Sequence, residues 1–600
     1  MKTPTKSQSL PLGHSLPPGD RHAVSVSLPT WDNIVQYMKG DTKIHENLQA
    51  DYPRYAIDGS FSPWLFYQHA SVRRLNEAVL ARLNAPEDTR CVIFLSEDGM
   101  RRCVQFLREN TDVESSIQEV SFTMPVRAPP AGEDVWARFH AVLFHERAAD
   151  RAAEFWGCFG DGISSRHAEY CYERLPFMHP VSSHPSSSAP SLEEVPLASW
   201  HHSDADTKEK LKASIANYVT SEKSSQELVS PRDVFLYAKG MCAIGTLARH
   251  LVPTSEAASE AVVFGWPYGS TPKCVKSSGY ERFTFYSQGS SAELDELQSS
   301  LAAGRRISCL FCEIPSNPLC ATPDLHRIRS LADKYHFVVV CDETIGTFIN
   351  VDVLPYVDVV LTSLTKMFNG AANVMGGSIV INPNSAYYAE LHAKLGADHE
   401  DLLFPLDAQV LLQNSLSFPA RVRQANRSAL LIANFLKTHE LVAQVNYPTL
   451  VSSKDLYEQY RRPEGGYGSL ISFVLKSPES AVAFYDAVDL CKGPSFGANF
   501  TLILPYSQLA HAHELDWAES KGLAKHIIRL SVGLEDTNGL VAKIGEALRR
   551  AEGRDAVNGR FLKTVNPSTM KALQSLDRSI EWGQPGTARN DFRCTCCFLS

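Results

Sequence analysis

The sequence predicts an α/β protein organised around a mostly parallel β-sheet. Residues 337–341 (FVVVC) and 357–361 (VDVVL) are short runs rich in valine, which is typical of strands buried on both faces. Strand and helix patterns alternate from about residue 230, with strands at 234–237, 262–264 and 310–313 and helices at 240–248 and 325–335. This alternation favours βαβ units with helices covering both faces of the sheet.

Polar side chains follow the two valine-rich strands. Asp342 comes directly after the first strand, and Ser363, Thr365 and Lys366 follow the second. Ligands bind at the carboxyl ends of parallel strands, so these groups are expected to meet at one edge. An amine, a carboxylate and hydroxyl groups are what pyridoxal phosphate (PLP) requires for its aldehyde, its ring nitrogen and its phosphate. Taken singly, a surface lysine and a turn-forming aspartate are the plainer interpretations.

Composition and charge narrow the class of protein. The chain has 600 residues, of which 44% are hydrophobic and 21% charged, as in ordinary soluble proteins. Its formal charge of −9 lacks a basic block, which argues against nucleic-acid binding. No apolar run approaches the ~18 residues of a membrane span, and no secretory signal opens the chain. The 14 cysteines have no metal-binding spacing. We therefore expect a cytoplasmic protein without a metal or a membrane partner.

Changes in composition along the chain predict five segments. The first 29 residues are rich in Pro, Ser and Gly, and residues 181–196 form a second Ser/Pro-rich stretch. Helix patterns dominate after residue 382, and a strand at 467–475 opens a smaller α+β region that ends with a helix at 539–551. The predicted segments are an extended arm (1–29), an N-terminal extension domain containing the linker near 181–196 (30–229), a large domain (230–425), a C-terminal small domain (426–551) and a polar tail (552–600).

Several motifs in the large domain occur in a characteristic order. YAKGMCAI (237–244) and EIPSNPL (313–319) precede the segment that carries Asp342 and Lys366. Together they resemble the cystathionine γ-synthase family of PLP enzymes, over about residues 230–550. The long N-terminal region is similar to that of the fungal branch. The resemblance implies the fold type I architecture of PLP-dependent transferases: a large domain, a smaller α+β C-terminal domain and an additional N-terminal α/β domain.

The resemblance also implies how PLP is held. Lys366 would bind it covalently and move protons, and Tyr268 would stack on its ring and assist that movement. Gly240 and Met241 sit where a strand turns into a helix, so their N–H groups favour an anion. The remaining implied contacts are Asp342 to the ring nitrogen, Asn317 to the ring oxygen, and Ser363 and Thr365 to the phosphate.

Two segments resemble the substrate side of the family's site. IRLSVGLED (528–536) places Arg529 where a guanidinium would grip the substrate carboxylate with two hydrogen bonds. PSFGANFTL (494–502) resembles a substrate-contacting stretch and implies roles for Ser495 and Thr501. In this alignment Phe500 falls where cystathionine-forming members commonly carry an acidic residue, so the incoming nucleophile stays open.

The family's Tyr-x-Arg segment, which completes the phosphate site of a neighbouring subunit, is displaced in this chain. Tyr52 and Arg54 have the right spacing but lie far upstream, whereas Arg166 lies nearer, and we favour Arg166. The resemblance implies a homodimer or homotetramer. The last four residues, from Cys597, formally fit a prenylation box, which we expect to be a chance match.

The resemblance implies a γ-replacement on an O-acylated L-homoserine. With cysteine as the nucleophile, the product would be cystathionine. One alternative is an enzyme of secondary metabolism that adds a carbon or another sulfur nucleophile to the same electrophile. Another is a catalytically silent regulatory subunit, against which the intact Lys366, Asp342, Asn317 and Arg529 argue.

Overall fold

The computed structural model describes residues 10–39, 68–111, 116–124, 135–182, 204–223, 227–253 and 259–553. These ranges contain four β-sheets of two, four, seven and five strands. Predictions about Tyr52, Arg54, Cys597, most of the linker and nearly all of the polar tail fall outside the described residues. The domain boundaries proposed from composition stay a prediction.

The described N-terminal residues, 10–39, lie against the C-terminal part of the chain. We call residues 10–39 the arm; they include most of the predicted arm (1–29) and the helix after it. Its elements are β1 (Ser15–Leu16), β2 (Ser25–Val26) and α1 (Trp31–Met38). The Thr30 side chain caps α1 by accepting the N–H of Asn33 at 3.1 Å. Tyr485 and Lys492 hold the segment before the helix by donating to the carbonyls of Leu28 and Pro29 at 2.7 and 2.8 Å. Residues 31–38, which the sequence grouped with the N-terminal extension, therefore lie on the C-terminal part.

An antiparallel sheet with strand order β3-β5-β4-β6 follows the arm. The elements of this N-terminal region are α2 (Ala70–Arg82), β3 (Thr89–Phe94), α3 (Glu97–Asn110), β4 (Gln118–Thr123), β5 (Arg138–His145), α4 (Ala149–Phe159), α5 (Ser165–Arg174) and β6 (His179–Ser182). These helices and strands confirm the additional N-terminal α/β domain that the resemblance implies.

The large domain is built on a seven-stranded sheet with strand order β7-β13-β12-β11-β10-β8-β9. Its elements are α6 (Asp204–Val219), β7 (Val234–Tyr237), α7 (Gly240–His250), β8 (Glu260–Phe264), α8 (Ser270–Lys276), β9 (Arg282–Tyr286), α9 (Ser291–Ala302), β10 (Cys309–Glu313), α10 (Leu325–Tyr335), β11 (Val338–Asp342), β12 (Val359–Thr362), β13 (Gly377–Ile381) and α11 (Tyr388–Asp398). Only β13 runs antiparallel to its neighbours. The prediction of a mostly parallel sheet is confirmed.

Both faces of this sheet are buried, as its valine-rich strands predict. Val339 and Val360 belong to the core on one face, and Val340 and Leu361 belong to the core on the other. The second core also contains Phe155 and Phe159 of α4, together with Phe94 of β3. The N-terminal region and the large domain therefore share one continuous core.

The C-terminal part contains a five-stranded sheet with strand order β14-β15-β18-β17-β16. Its elements and the helices leading to it are α12 (Pro405–Ser415), α13 (Phe418–Thr438), β14 (Val442–Asn446), α14 (Lys454–Tyr460), β15 (Leu470–Leu475), α15 (Pro478–Ala487), β16 (Cys491–Lys492), β17 (Leu502–Pro505), α16 (Tyr506–Ala510), α17 (Leu515–Ser520), β18 (Ile528–Ser531) and α18 (Thr537–Ala551). A search of the described helices finds none that is long and apolar enough to span a bilayer.

Arm attachment can be tested at Ile34, which is 0% exposed in the core shared with the C-terminal sheet. Replacing Ile34 by Ala should lower the free energy for opening of residues 31–38 by about 2–5 kcal/mol, because a buried aliphatic side chain is lost. Amide hydrogen exchange followed by mass spectrometry measures this local opening. The exposed Lys39→Ala is the control, and equal exchange in both variants would contradict the packing.

Candidate active site

Two adjoining cavities lie at the carboxyl edge of the seven-stranded sheet. The sheet-side cavity lies against Asp342 of β11, Thr362 of β12 and the first residues of α7. The arm-side cavity lies under arm residues His22 to Leu28. The residues common to both walls are Trp156, Tyr268, Thr365, Lys366, Met375 and Phe496. Lys366 therefore lies where the contents of the two cavities meet.

Lys366 is half-buried, and its amine lies between a hydroxyl group and an aromatic ring. Its Nζ donates to Ser495 Oγ at 3.3 Å and lies 4.7 Å from the centre of the Phe496 ring. Burial lowers the pKa of Lys366 to about 7, and the positive charge of Arg529 acts in the same direction. A large share of this amine is therefore neutral, and so nucleophilic, near pH 7.

Asp342 ends β11 and is linked to the residue that follows β12. Its Oδ1 accepts the backbone N–H of Thr344 at 2.8 Å, and Thr344 Oγ1 accepts the N–H of Ser363, also at 2.8 Å. Burial raises the pKa of Asp342, while the hydrogen bonds from Thr344 oppose that rise. These bonds bring a carboxylate and Ser363 together on the wall of the sheet-side cavity.

Glu313 is a residue of this site that the sequence analysis quoted only as a motif letter. It pairs in register with Asp342 across β10 and β11, and its Oε2 accepts the backbone N–H of Tyr268 at 2.7 Å. Burial, with the nearby Asp342 charge, raises the pKa of Glu313 well above its usual range. Burial also raises the pKa of Tyr268 to about 12. Glu313 could have been found from the sequence because it ends a third strand, β10, and side chains at the carboxyl ends of parallel strands converge on one edge.

The part of the sheet-side cavity wall that is formed by the start of α7 has the features of an anion site. Gly240 and Met241 open α7 and line this cavity with Ser363 and Thr365. A Cβ atom on residue 240 would lie 2.8 Å from Ser363 Cβ, so only glycine lets the helix come this close to the strand end. The N–H groups and dipole of the helix N-terminus favour a bound anion.

Arg529 of β18 supplies a buried cation to the arm-side cavity. It is 4% exposed, and it donates to the carbonyls of Pro494 and Ser495 at 2.6 and 3.2 Å. Its Nη1 also donates to Asn317 Oδ1 at 3.4 Å. Among the described residues no carboxylate forms an ion pair with it, so its buried charge lacks the partner that such charges usually have.

Asn317 also carries an unsatisfied group. Its side chain is 0% exposed, and its Nδ2 has no hydrogen-bond partner in the described part of the chain. A buried N–H donor without an acceptor is costly, so an oxygen of a bound molecule would stabilise it.

Thr501 and Phe500, which the resemblance places near the substrate, lie outside the walls of both cavities. Gly497, at φ +71°, packs against the backbone of Met367, and the chain then runs towards β17. Thr501 is held by Glu535, which accepts its N–H and its hydroxyl at 2.7 and 2.8 Å. Phe496 is the aromatic residue that reaches the cavities instead.

Arg166 lies outside both cavity walls. It belongs to α5, and its Nη1 donates to Asp407 Oδ1 at 3.1 Å and to the carbonyl of Asn373 at 2.8 Å. Within the chain this guanidinium is therefore paired with a carboxylate. Its predicted role in a neighbouring subunit stays a prediction.

The parts of the cavity walls that the arm and α4 contribute were not predicted from the sequence. Val24, Val26 and Leu28 line the arm-side cavity, and Trp156 lines both cavities. The arm is attached there by backbone hydrogen bonds from Val24 N to Ala372 O at 2.9 Å and from Leu28 N to Lys492 O at 2.8 Å. Alternation of apolar and serine residues over 23–28 was the signal for a strand-like segment with one buried face.

Comparisons with known proteins match both halves of the chain. A family model described as Cys/Met metabolism PLP-dependent enzyme matches residues 217–549, and one described as fungal trans-sulfuration enzyme, N-terminal domain, matches residues 71–164. The cystathionine gamma-synthase-like protein ankD of Aspergillus thermomutatus is 48% identical over 92% of this chain and 96% of its own. The cystathionine gamma-synthase of Neurospora crassa is 34% identical over 90% of this chain and 98% of its own.

A solved structure also resembles this chain. The cystathionine gamma synthase of Xanthomonas oryzae pv. oryzae in complex with cystathionine is 23% identical, with a TM-score of 0.48, and the match covers 58% of this chain and 98% of that one. The family matches confirm the resemblance seen in the sequence, the extra N-terminal domain and PLP as the cofactor. The buried amine, the buried carboxylate and the helix N-terminus beside two hydroxyl groups fit that cofactor.

The lowered pKa of Lys366 and its attachment to PLP can be tested by adding PLP to the apoprotein. Borohydride reduction should fix PLP to the peptide that contains Lys366. The rate of capture should rise with pH through about 7 and then level off, because only the neutral amine attacks the aldehyde. Absorbance gives the rate, and mass spectrometry of peptides gives the site. Lys366→Ala is the control. A different labelled peptide, or a rise centred near pH ~10.4 as for an ordinary lysine, would contradict the assignment.

Proposed function

Because the chain belongs to the Cys/Met metabolism PLP-dependent enzymes, we propose that it catalyses a γ-replacement on an O-acylated L-homoserine with cysteine as the nucleophile. This is the cystathionine γ-synthase reaction, and relatives that carry this name support the proposal. The observation that carries it is the buried guanidinium of Arg529, which has no ion-pair partner among the described residues and whose charge acts on Lys366. An amino-acid substrate brings the carboxylate that this cation lacks, together with a Cα proton for a nearby base.

The residues of the site have separable tasks in this proposal. PLP, when bound, supplies an electron sink for negative charge that develops at the substrate Cα. Asp342 holds a proton at the ring nitrogen, and Arg529 binds the substrate carboxylate through two N–H groups. Lys366 removes the Cα proton and then moves protons at Cβ, since its lowered pKa suits a base near neutral pH.

The bond changes at Cγ follow from these proton transfers. The acyl group leaves Cγ as a carboxylate with the electron pair of its C–O bond, which leaves an electrophilic Cβ–Cγ unit. The cysteine thiol gives its proton to solvent and forms a C–S bond at Cγ, and Lys366 returns the protons that it removed, first to Cβ and then to Cα. The products are cystathionine and acetate or succinate, according to the acyl group.

The arm-side cavity is the proposed route by which the second substrate reaches Cγ, because Arg529 and Lys366 both lie on its wall. Much of its wall is apolar, with Val24, Val26 and Leu28 on the arm and Phe496 opposite. A second candidate function, the use of an apolar thiol or a carbon nucleophile, is favoured by one feature of that wall. The described residues that line it include no carboxylate to bind the ammonium group of cysteine.

A homodimer or homotetramer is part of the same proposal. Its support is the resemblance alone, which implies that a neighbouring subunit completes the phosphate site.

Product analysis tests the proposed reaction and its alternative. Purified protein with PLP and O-acetyl-L-homoserine should form cystathionine only when cysteine is present, as detected by mass spectrometry. A parallel reaction contains ethanethiol in place of cysteine, and Lys366→Ala is the inactive control for both. A thioether formed from ethanethiol but not from cysteine would favour the alternative. No γ-substituted product with either thiol would refute the proposed reaction and the use of an apolar thiol.

Carboxylate binding can be tested with Arg529→Lys. Its KM for O-acetyl-L-homoserine should rise about tenfold to a hundredfold while PLP absorbance is retained, because a two-point clamp becomes a single contact. Arg462→Lys is a matched control, since Arg462 is also buried and donates to the carbonyls of Val351 and Thr220 away from both cavities. Steady-state kinetics measure KM in both variants. An unchanged KM in Arg529→Lys would show that another group binds the carboxylate.

A further inference from the structure

Lys239 occupies a position where lysine is unexpected. It is the N-cap residue of α7, directly before Gly240, and its side chain makes no capping hydrogen bond. N-caps are usually Ser, Thr, Asp or Asn, and a cation is unfavourable at the positive end of a helix dipole. Lys239 is also only 8% exposed and lines the sheet-side cavity. A buried ammonium group at this place needs a compensating anion.

The N-terminal region fixes this ammonium group. Lys239 Nζ donates to the carbonyl of Gly162 at 2.6 Å and lies 4.8 Å from the centre of the Trp156 ring. A Cβ atom on residue 162 would collide with Trp156 Nε1, so glycine is needed for the indole to pack there. Trp156, Gly157 and Gly160 form part of the same cavity wall. The indole N–H of Trp156 is itself buried without a hydrogen-bond partner in the described ranges.

The protein does not neutralise Lys239 with an ion pair in the part of the chain that is described. The groups whose charge favours the protonated form of Lys239 are the Cys242 thiol and the carboxylates of Asp161 and Asp407. Both carboxylates form ion pairs with arginines: Asp161 with Arg102 at 2.7 Å, and Asp407 with Arg166 at 3.1 Å. Burial lowers the pKa of Lys239 to about 8, which leaves most of the amine charged at pH 7.

We infer that Lys239 binds the phosphate group of PLP beside the N–H groups of Gly240 and Met241, and that Gly162 and Trp156 hold it in place. The chain would thus supply a phosphate-binding cation from the N-cap residue of the helix that begins at Gly240. Its predicted counterpart, Arg166, is instead paired with Asp407. This inference rests on the cofactor and on the position of its phosphate, and it is independent of the substrate and the nucleophile.

The inference can be tested by measuring how tightly the apoprotein binds PLP and pyridoxal, which lacks the phosphate. No catalytic turnover is needed. For Lys239→Met, the Kd of the apoprotein for PLP should rise about tenfold to a hundredfold, since a hydrogen bond to a charged group is lost. The Kd for pyridoxal should stay unchanged. Absorbance titration measures both constants, and neither depends on the proposed reaction.

Lys492→Met is the matched control. Lys492 is also a buried lysine: its Nζ donates to the Pro29 carbonyl at 2.8 Å and lies 5.0 Å from the centre of the Tyr485 ring, away from both cavities. Both Kd values should be those of the wild type in this variant. If Lys239→Met does not fold, Lys239→Gln replaces it, because the amide keeps a donor for Gly162. An unchanged Kd for PLP, or an equal rise for PLP and pyridoxal, would overturn the inference.

Discussion

Burying cations without carboxylate partners is the constraint on which this site depends. Lys239 and Arg529 are 8% and 4% exposed, and in the described part of the chain neither forms an ion pair. Such charges destabilise a fold unless an opposite charge accompanies them. In the proposed function, anionic groups of the cofactor and the substrate supply these opposite charges. Ligand binding and stability are linked for this reason.

The acidic residues of the edge complete this arrangement. Asp342 and Glu313 lie side by side at two strand ends, and burial raises the pKa of each. Asp342 is linked through Thr344 to Ser363, whereas Glu313 is bound to the backbone of Tyr268. One carboxyl group thus faces the sheet-side cavity while its neighbour holds an aromatic residue that lines both cavities. The two carboxyl groups lie side by side because β10 and β11 are adjacent parallel strands that end at the same level.

Local patterns were sufficient to predict the sheet and the residues at its edge. Asp342, Ser363 and Lys366 follow valine-rich strands, and parallel strands bring their carboxyl ends together whatever the rest of the chain does. The positions of Phe500 and Thr501 outside both cavity walls could not be predicted by matching letters, because they depend on the turn at Gly497 and on the hydrogen bond from Thr501 to Glu535. The pairing of Arg166 with Asp407, 241 residues away, has no local signal. The same holds for Trp156, whose place in the cavity depends on a core shared between two regions.

The way the arm is attached has a consequence for the divergence of related sequences. Main-chain hydrogen bonds at Val24 and Leu28 hold it over the cavity, and such bonds persist when most side chains are exchanged. The wall that would face the second substrate in the proposed reaction is thus separated from the residues to which we assign the chemistry. Mutations at residues 24, 26 and 28 can reshape that wall while Lys366, Asp342 and Arg529 remain as they are. New acceptor preferences are accessible to this scaffold through a segment that is far from the catalytic residues in sequence and adjacent to them in space.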